Sequence, residues 1–177
     1  MKTLNREETI IEWDKFWNEM KDEWFKVEVL QDYSAEDIGD SFQAWLAGDR
    51  EKSLELMKKD AGSNEWVKMS SATPAKKIRI HIVEEPYSPY LLWEIEHYKS
   101  VNIPLVKEEV YLVKREVVKD LDIPDGDFMI FDNKRVVRNY YTPEGKVYKA
   151  DFYYEDDDIS KFLDLKTEIS KVKMLKL

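Results

Sequence analysis

Residues 78–95, IRIHIVEEPYSPYLLWEI, decide the fold class. Ile78, Ile80 and Ile82 alternate with Arg79 and His81, the period-two pattern of a strand. The pattern breaks at Glu85-Pro86. Ser88-Pro89 then offers an N-cap and a first-turn proline, whose missing N–H is no loss at that position. The helix this predicts runs to about Val101, where Asn102-Ile103-Pro104 ends it. A second strand, Glu109 to Val113, follows about 30 residues after the first, the spacing that a parallel crossover requires. Strand, crossover helix and strand make a β-α-β unit, and the chain is α/β. No catalytic motif sits where the strand meets the helix.

Upstream, Asn5 with Glu8 predicts a capped helix over residues 5–24, its stripe formed by Ile10, Trp13, Trp17, Met20 and Trp24. Phe25, Val27 and Val29 then alternate as one face of a strand reaching Tyr33. Ser34 followed by Asp37 marks another helix start, with Ile38, Phe42, Trp45 and Leu46 as its buried face and Gly48 as its stop. Residues 49–76 read as a further helix interrupted at Gly62-Ser63-Asn64. Downstream, Phe128-Met129-Ile130-Phe131 is a continuous apolar run, as in a strand buried on both faces. Asp132-Asn133 turns it into 135–141, and Thr142-Pro143-Glu144-Gly145 turns that into 146–154, giving an antiparallel meander. Ile159, Phe162, Leu165, Ile169 and Val172 form the stripe of a closing helix. The expected architecture is a single domain over 1–177: a mainly helical lead-in with one strand (1–76), then an α/β core (77–177) with a mixed sheet, β-α-β unit, meander and C-terminal helix.

Composition narrows the function. The chain has 177 residues, 6 Trp, 10 Tyr and 7 Phe but only 5 Gly and 6 Pro, which fits a packed domain and not a disordered one. A formal charge of −9 argues against direct nucleic-acid binding or attachment to an anionic membrane. With no cysteine there are no disulfides, thiolate metal sites or thiol nucleophile. The first residues lack an apolar signal core and no apolar run approaches a membrane span, so a cytoplasmic protein is expected.

Residues 78–94, Asp127-Phe128-Met129-Ile130-Phe131-Asp132 and Tyr140-Tyr141-Thr142-Pro143-Glu144-Gly145 carry a resemblance. So do Glu23-Trp24-Phe25-Lys26-Val27-Glu28, Asp32-Tyr33 and Phe42-Gln43-Ala44-Trp45-Leu46-Ala47-Gly48. Over about residues 13–170 the chain resembles an uncharacterised bacterial family, best known from actinomycetes and often encoded beside helix-turn-helix regulators. That resemblance implies no activity. It does imply a regulatory setting, with a transcriptional regulator as a protein partner. This chain is richer in Lys and Glu than actinomycete members and lacks their aromatic ending. A fainter, fold-level likeness to non-catalytic phospholipase-D-like domains rests on Phe131-Asp132, the meander and the closing helix.

Candidate chemistry is thin. His97-Tyr98-Lys99 begins a His-x-Lys motif, but Pro104 stands where its aspartate belongs. His81, the other of 2 histidines, faces away from the isoleucines, either lining a cleft or satisfied within the sheet. The acidic loop at 120–127 fails calcium-loop spacing, with Pro124 and Phe131 at ligand positions. Residues 155–158 read as carboxylates at a helix start, not as a Mg²⁺ site. No catalytic residue, metal ligand or cofactor is assigned.

One constellation has a geometric argument, because open α/β sheets bind ligands beyond the carboxyl ends of their parallel strands. Glu84, Glu85 and Tyr87 follow the first strand, Lys114 and Arg115 the second and Asp132 the third, with Tyr90 and Trp93 in the adjoining helix. The candidate binding residues are Glu84, Tyr87, Tyr90, Trp93, Arg115 and Asp132, suited to a small polar ligand or a protein segment. The leading expectation is a non-enzymatic regulatory or interaction module. A hydrolase of phosphodiester type with an unfamiliar site and an acidic mimic or inhibitor are the alternatives. Trp93 is also expected to pack against the sheet near Phe131.

Overall fold

A computed structural model describes residues 1–33 and 39–177. The helix start at Ser34 and Asp37, and the buried Ile38, lie outside the described residues. The chain runs β1 (Lys2–Asn5), α1 (Arg6–Glu19), β2 (Glu23–Glu28), α2 (Asp40–Leu46), α3 (Arg50–Ser63), α4 (Glu65–Ala72), β3 (Lys76–Val83) and α5 (Pro89–His97). Then come β4 (Glu108–Lys114), β5 (Phe128–Phe131), β6 (Arg135–Tyr141), β7 (Val147–Tyr153), α6 (Asp156–Ile169) and β8 (Leu175–Lys176).

One eight-stranded mixed sheet unites them in the order β1-β7-β6-β5-β2-β3-β4-β8. β2, β3 and β4 are parallel, so the β-α-β unit is present. The meander β5-β6-β7 is antiparallel and joins β2 on the side away from β3. Local signals act where expected. Asn5 and Glu8 form a reciprocal capping box, and Ser88 accepts from the Leu91 amide ahead of Pro89. Asn64 ends α3 and caps α4. Asp132 and Asn133, with φ of 52° and 56°, make the tight turn whose twist suits a hairpin.

Three expectations need correction. α1 stops at Glu19, so Trp24 belongs to β2, and Ile10 on the supposed buried stripe is exposed. Pro104 does not end the crossover helix, because residues Tyr98–Val106 continue it with π-helical turns, whose wider spacing accommodates a residue with no N–H to donate. Finally, β5 is not a third parallel strand. It runs antiparallel to β2 with Trp24 opposite Phe131. Asp132 therefore sits at the amino end of β2, where its carboxylate accepts from the Lys21, Asp22 and Glu23 amides.

The two faces of the sheet differ in chemistry. Phe25, Val27, Ile80, Ile82, Val113, Phe128, Ile130 and Val136 form one face, sealed by Ile159, Phe162, Leu165 and Ile169 of α6. On the other face α1 covers the meander end through Phe16 and Trp17, against Trp24, Met129, Phe131 and Phe152. Leu91 and Ile95 of α5 cover Val83 and Leu112. Between these apolar patches the strands present Lys26, Glu28, Arg79, His81 and Glu108, roofed by helices. Right-handed crossovers explain the roof. With β2, β3 and β4 laid down in one direction, both connections cross on the same face.

Candidate functional site

Lys26, Glu28 and Arg79 of this patch line the floor of a cavity of about 940 Å³, with His81 and Glu108 buried behind them. Its lining includes Thr9 and Trp13 from α1, Trp66 and Met69 from α4, and Tyr90, Trp93, Glu94 and His97 from α5. Tyr33 and Tyr141 close the side nearest the meander, and exposed Ile10, Asp14 and Glu65 stand at its rim. The volume lies within the range of small-molecule sites, and an apolar wall around a few fixed polar groups is their usual construction.

Arg79 organises the floor. Its guanidinium binds Glu108 with Nε at 2.8 Å and Nη2 at 3.2 Å, and Nη1 donates to Glu28. Trp24 and Tyr98 flank it, with ring centroids 5.4 Å and 5.3 Å from Cζ. Lys26 adds a second cation to Glu28 at 2.5 Å, and the Tyr98 hydroxyl donates to the other Glu28 oxygen at 2.7 Å. Asn102 from the π-helical turns donates to Glu108 at 3.1 Å. Burial alone would raise the Glu28 carboxyl, but Arg79 and then Lys26 hold it below the ordinary carboxylate range.

His81 is completely buried, and its Nε2 meets the Leu30 carbonyl at 2.7 Å. A carbonyl only accepts, so the proton is on Nε2. Burial lowers the ring below its usual range, leaving Nδ1 as a lone pair, 3.1 Å from the Tyr98 hydroxyl and 3.4 Å from Glu94 Oε2. Asp127, also fully buried, accepts from the Val29 amide and the Tyr33 hydroxyl at 3.0 Å and from the Tyr141 hydroxyl at 2.6 Å. Burial raises its carboxyl, against the pull of Lys26 at 3.9 Å.

Glu94 is the odd member. Only 8% exposed, it has one long contact to the Tyr90 hydroxyl at 3.5 Å, and its Oε2 makes no hydrogen bond among the described residues. Burial, then the charge of Glu28, drives its carboxyl well above the ordinary range. A raised folded-state value means stability is fully present below the unfolded value near 4.5 and is lost as pH rises toward the folded one. Glu94→Gln removes that loss. The melting temperature of the wild type is expected to fall relative to Glu94→Gln as pH is raised from 4.5, and parallel curves across that range would contradict the assignment.

Glu28, His81 and Glu94 each offer a ligand atom within 4.8 Å of the others, close enough to surround a metal ion. Both Glu28 oxygens are already held, by Arg79 and Lys26 on one and Tyr98 on the other, so a metal would have to displace them. The set suits a preformed ion network better than a metal centre.

The six residues expected to bind do not share one place. Tyr90 and Trp93 line the cavity. Glu84, Tyr87 and Arg115 line a separate pocket of about 360 Å³, where half-buried Arg115 pairs at 3.5 Å with Glu84, whose side chain is largely in water. Asp132 is at the opposite ends of the strands, fixed in its turn. Trp93 packs against the cluster of Met57, Ala61, Val67, Val101 and Val106 and meets Phe42 edge-on and Tyr90 at a tilt, whereas Phe131 meets Trp13 and Phe16. Lys26, Glu28, Arg79, Glu94, Glu108 and Asp127 were not anticipated as a site.

Fold and floor define an α/β domain whose crossovers roof a charged, aromatic-walled cavity. A family model described as a domain of unknown function (DUF6879) matches residues 11–171, and the chain belongs to that family. No curated protein matches it. Among the described residues no helix is long and apolar enough to cross a membrane.

Proposed function

We propose that this domain is a non-enzymatic binding module whose cavity between the sheet and the crossover helices takes a small polar ligand. The observation that carries the reading is Glu94, a buried carboxyl facing an aromatic-walled cavity of about 940 Å³ with no hydrogen bond at Oε2. A native group in that condition costs stability unless something completes it. We place the module in the bacterial cytoplasm, acting in regulation with a transcriptional regulator as its partner. The resemblance of the chain to a family encoded beside such regulators supports that setting.

A thermal-shift screen of small polar compounds tests the binding. Compounds that stabilise the wild type are expected to lose most of that effect in Trp66→Ala, which opens one wall while leaving the strand network intact. Equal shifts in both proteins, or no shift from any compound, would contradict the reading.

One observation favours hydrolysis as a second reading: His81 Nδ1 and Glu94 converge at 3.4 Å beside the cavity. Phosphodiester substrates are disfavoured by charge, since Arg79 and Lys26 are already matched to carboxylates. Turnover of a nitrophenyl phosphodiester that is abolished in His81→Gln would restore it.

A further inference from the structure

We propose that the ligand is an organic cation, an amine or ammonium group on a small apolar body, with Glu94 as its anionic anchor. This rests on the ligand-binding reading and adds the charge class of the ligand.

Charge matching on the floor is the first argument. Buried Arg79 and half-buried Lys26 are the cations of the floor, and Glu28 and Glu108 take them up. Asp127 is answered by three neutral donors, the Val29 amide and the Tyr33 and Tyr141 hydroxyls. Among the described residues Glu94 has no cation within ion-pair distance, apart from the neutral His81 ring, and its Oε2 has no hydrogen-bond donor. An incoming ammonium supplies both and draws the raised carboxyl into its ionised form, so that the pair makes a charge-assisted bond stronger than a neutral one.

The walls are the second. Tyr33 and Tyr90 have ring centroids 5.8 Å apart, Tyr90 and Trp93 5.4 Å, and Trp13 and Trp66 line the same space. Several aromatic rings gathered beside one carboxylate attract a cation through their negative faces. An anion would meet Glu28 and Glu94, while the floor cations among the described residues, Arg79 and Lys26, are already matched to carboxylates. A bare metal ion would have to take Glu28 from Arg79, Lys26 and Tyr98, and it would leave most of the cavity unfilled.

Matched probes separate these cases: phenethylammonium, phenethyl alcohol and phenylacetate share one ring and differ in charge, and MnCl₂ stands for the metal. Binding is followed by tryptophan emission and melting temperature. The wild type is expected to bind phenethylammonium at least about tenfold more tightly than the alcohol, with phenylacetate weakest. Glu94→Gln is expected to erase the preference for the cation while leaving the alcohol unchanged. Glu94→Asp, which keeps the charge, should retain part of it and serves also if the amide variant folds poorly. Equal binding of all three organic probes, or a preference that survives in Glu94→Gln, would overturn the charge assignment and leave the cavity as a ligand site. Binding by none would overturn both readings. Mn²⁺ binding lost in both Glu94→Gln and His81→Gln would replace the organic cation with a metal.

Discussion

Arg79→Met is expected to be among the most damaging single substitutions in this chain. It keeps an apolar stem of similar length but removes the group that neutralises Glu28 and Glu108, which are 2% and 3% exposed. Breaking a buried ion pair from one side typically costs about 3–5 kcal/mol, because the abandoned charge stays buried. Against a total stability of about 5–15 kcal/mol, such a loss leaves a marginal protein. For a chain of this size it corresponds to a fall in melting temperature of roughly 6–20 °C. Urea unfolding of the purified variant measures it directly. A loss below about 1 kcal/mol would mean that the network is not the tightly coupled unit described. Arg79→Met combined with Glu28→Gln should lose less than the sum of the two singly, since the second change removes a charge that the first leaves stranded.

Gly126→Ala should do comparable harm for a different reason. Gly126 has φ of +87°, a region that L residues avoid, and an added Cβ would lie 2.1 Å from the Asn139 carbonyl oxygen. That oxygen belongs to the backbone of β6, where the Asn139 amide also bonds the Asp127 carbonyl at 2.8 Å, so it has little freedom to move. The strained dihedral alone costs on the order of 1–3 kcal/mol, and the clash adds to it. The shift would fall on Asp127, the next residue, and so on the Tyr33 and Tyr141 hydroxyls that it holds beside the cavity. Loss of several kcal/mol in equilibrium unfolding is expected. A variant as stable as the wild type would show that this turn is free to rearrange.

The fold was far more legible than the site. The crossover unit, the meander and the closing helix all follow from local signals: Ser88-Pro89, the apolar run at 128–131, Pro143 with Gly145, and the stripe from Ile159 to Ile169. Strand direction was not local information. Nothing within Phe128–Phe131 says whether it runs with or against β2, and that choice moved Asp132 to the other end of the sheet. The floor was hidden by a reasonable inference. Lys26 and Glu28, like Arg79 and His81, alternate with apolar neighbours in the manner of a half-solvated strand. The signal that contradicts this is the parallel pairing itself, because crossovers must lie over one face, and here both lie over the charged one. Glu94 carried no signal of its own. On a helix facing Tyr90 and Trp93 it reads as an ordinary polar position, and only the packing of α5 over Glu28 and His81 gives it meaning.

Cocrystals with phenethylammonium test most directly whether the charged floor is a ligand site. The account predicts the molecule within the cavity, its nitrogen within about 3.2 Å of a Glu94 carboxylate oxygen and its ring against the Tyr90 and Trp93 side. A cavity without the molecule, or the molecule seated instead in the pocket of Glu84, Tyr87 and Arg115, would contradict it.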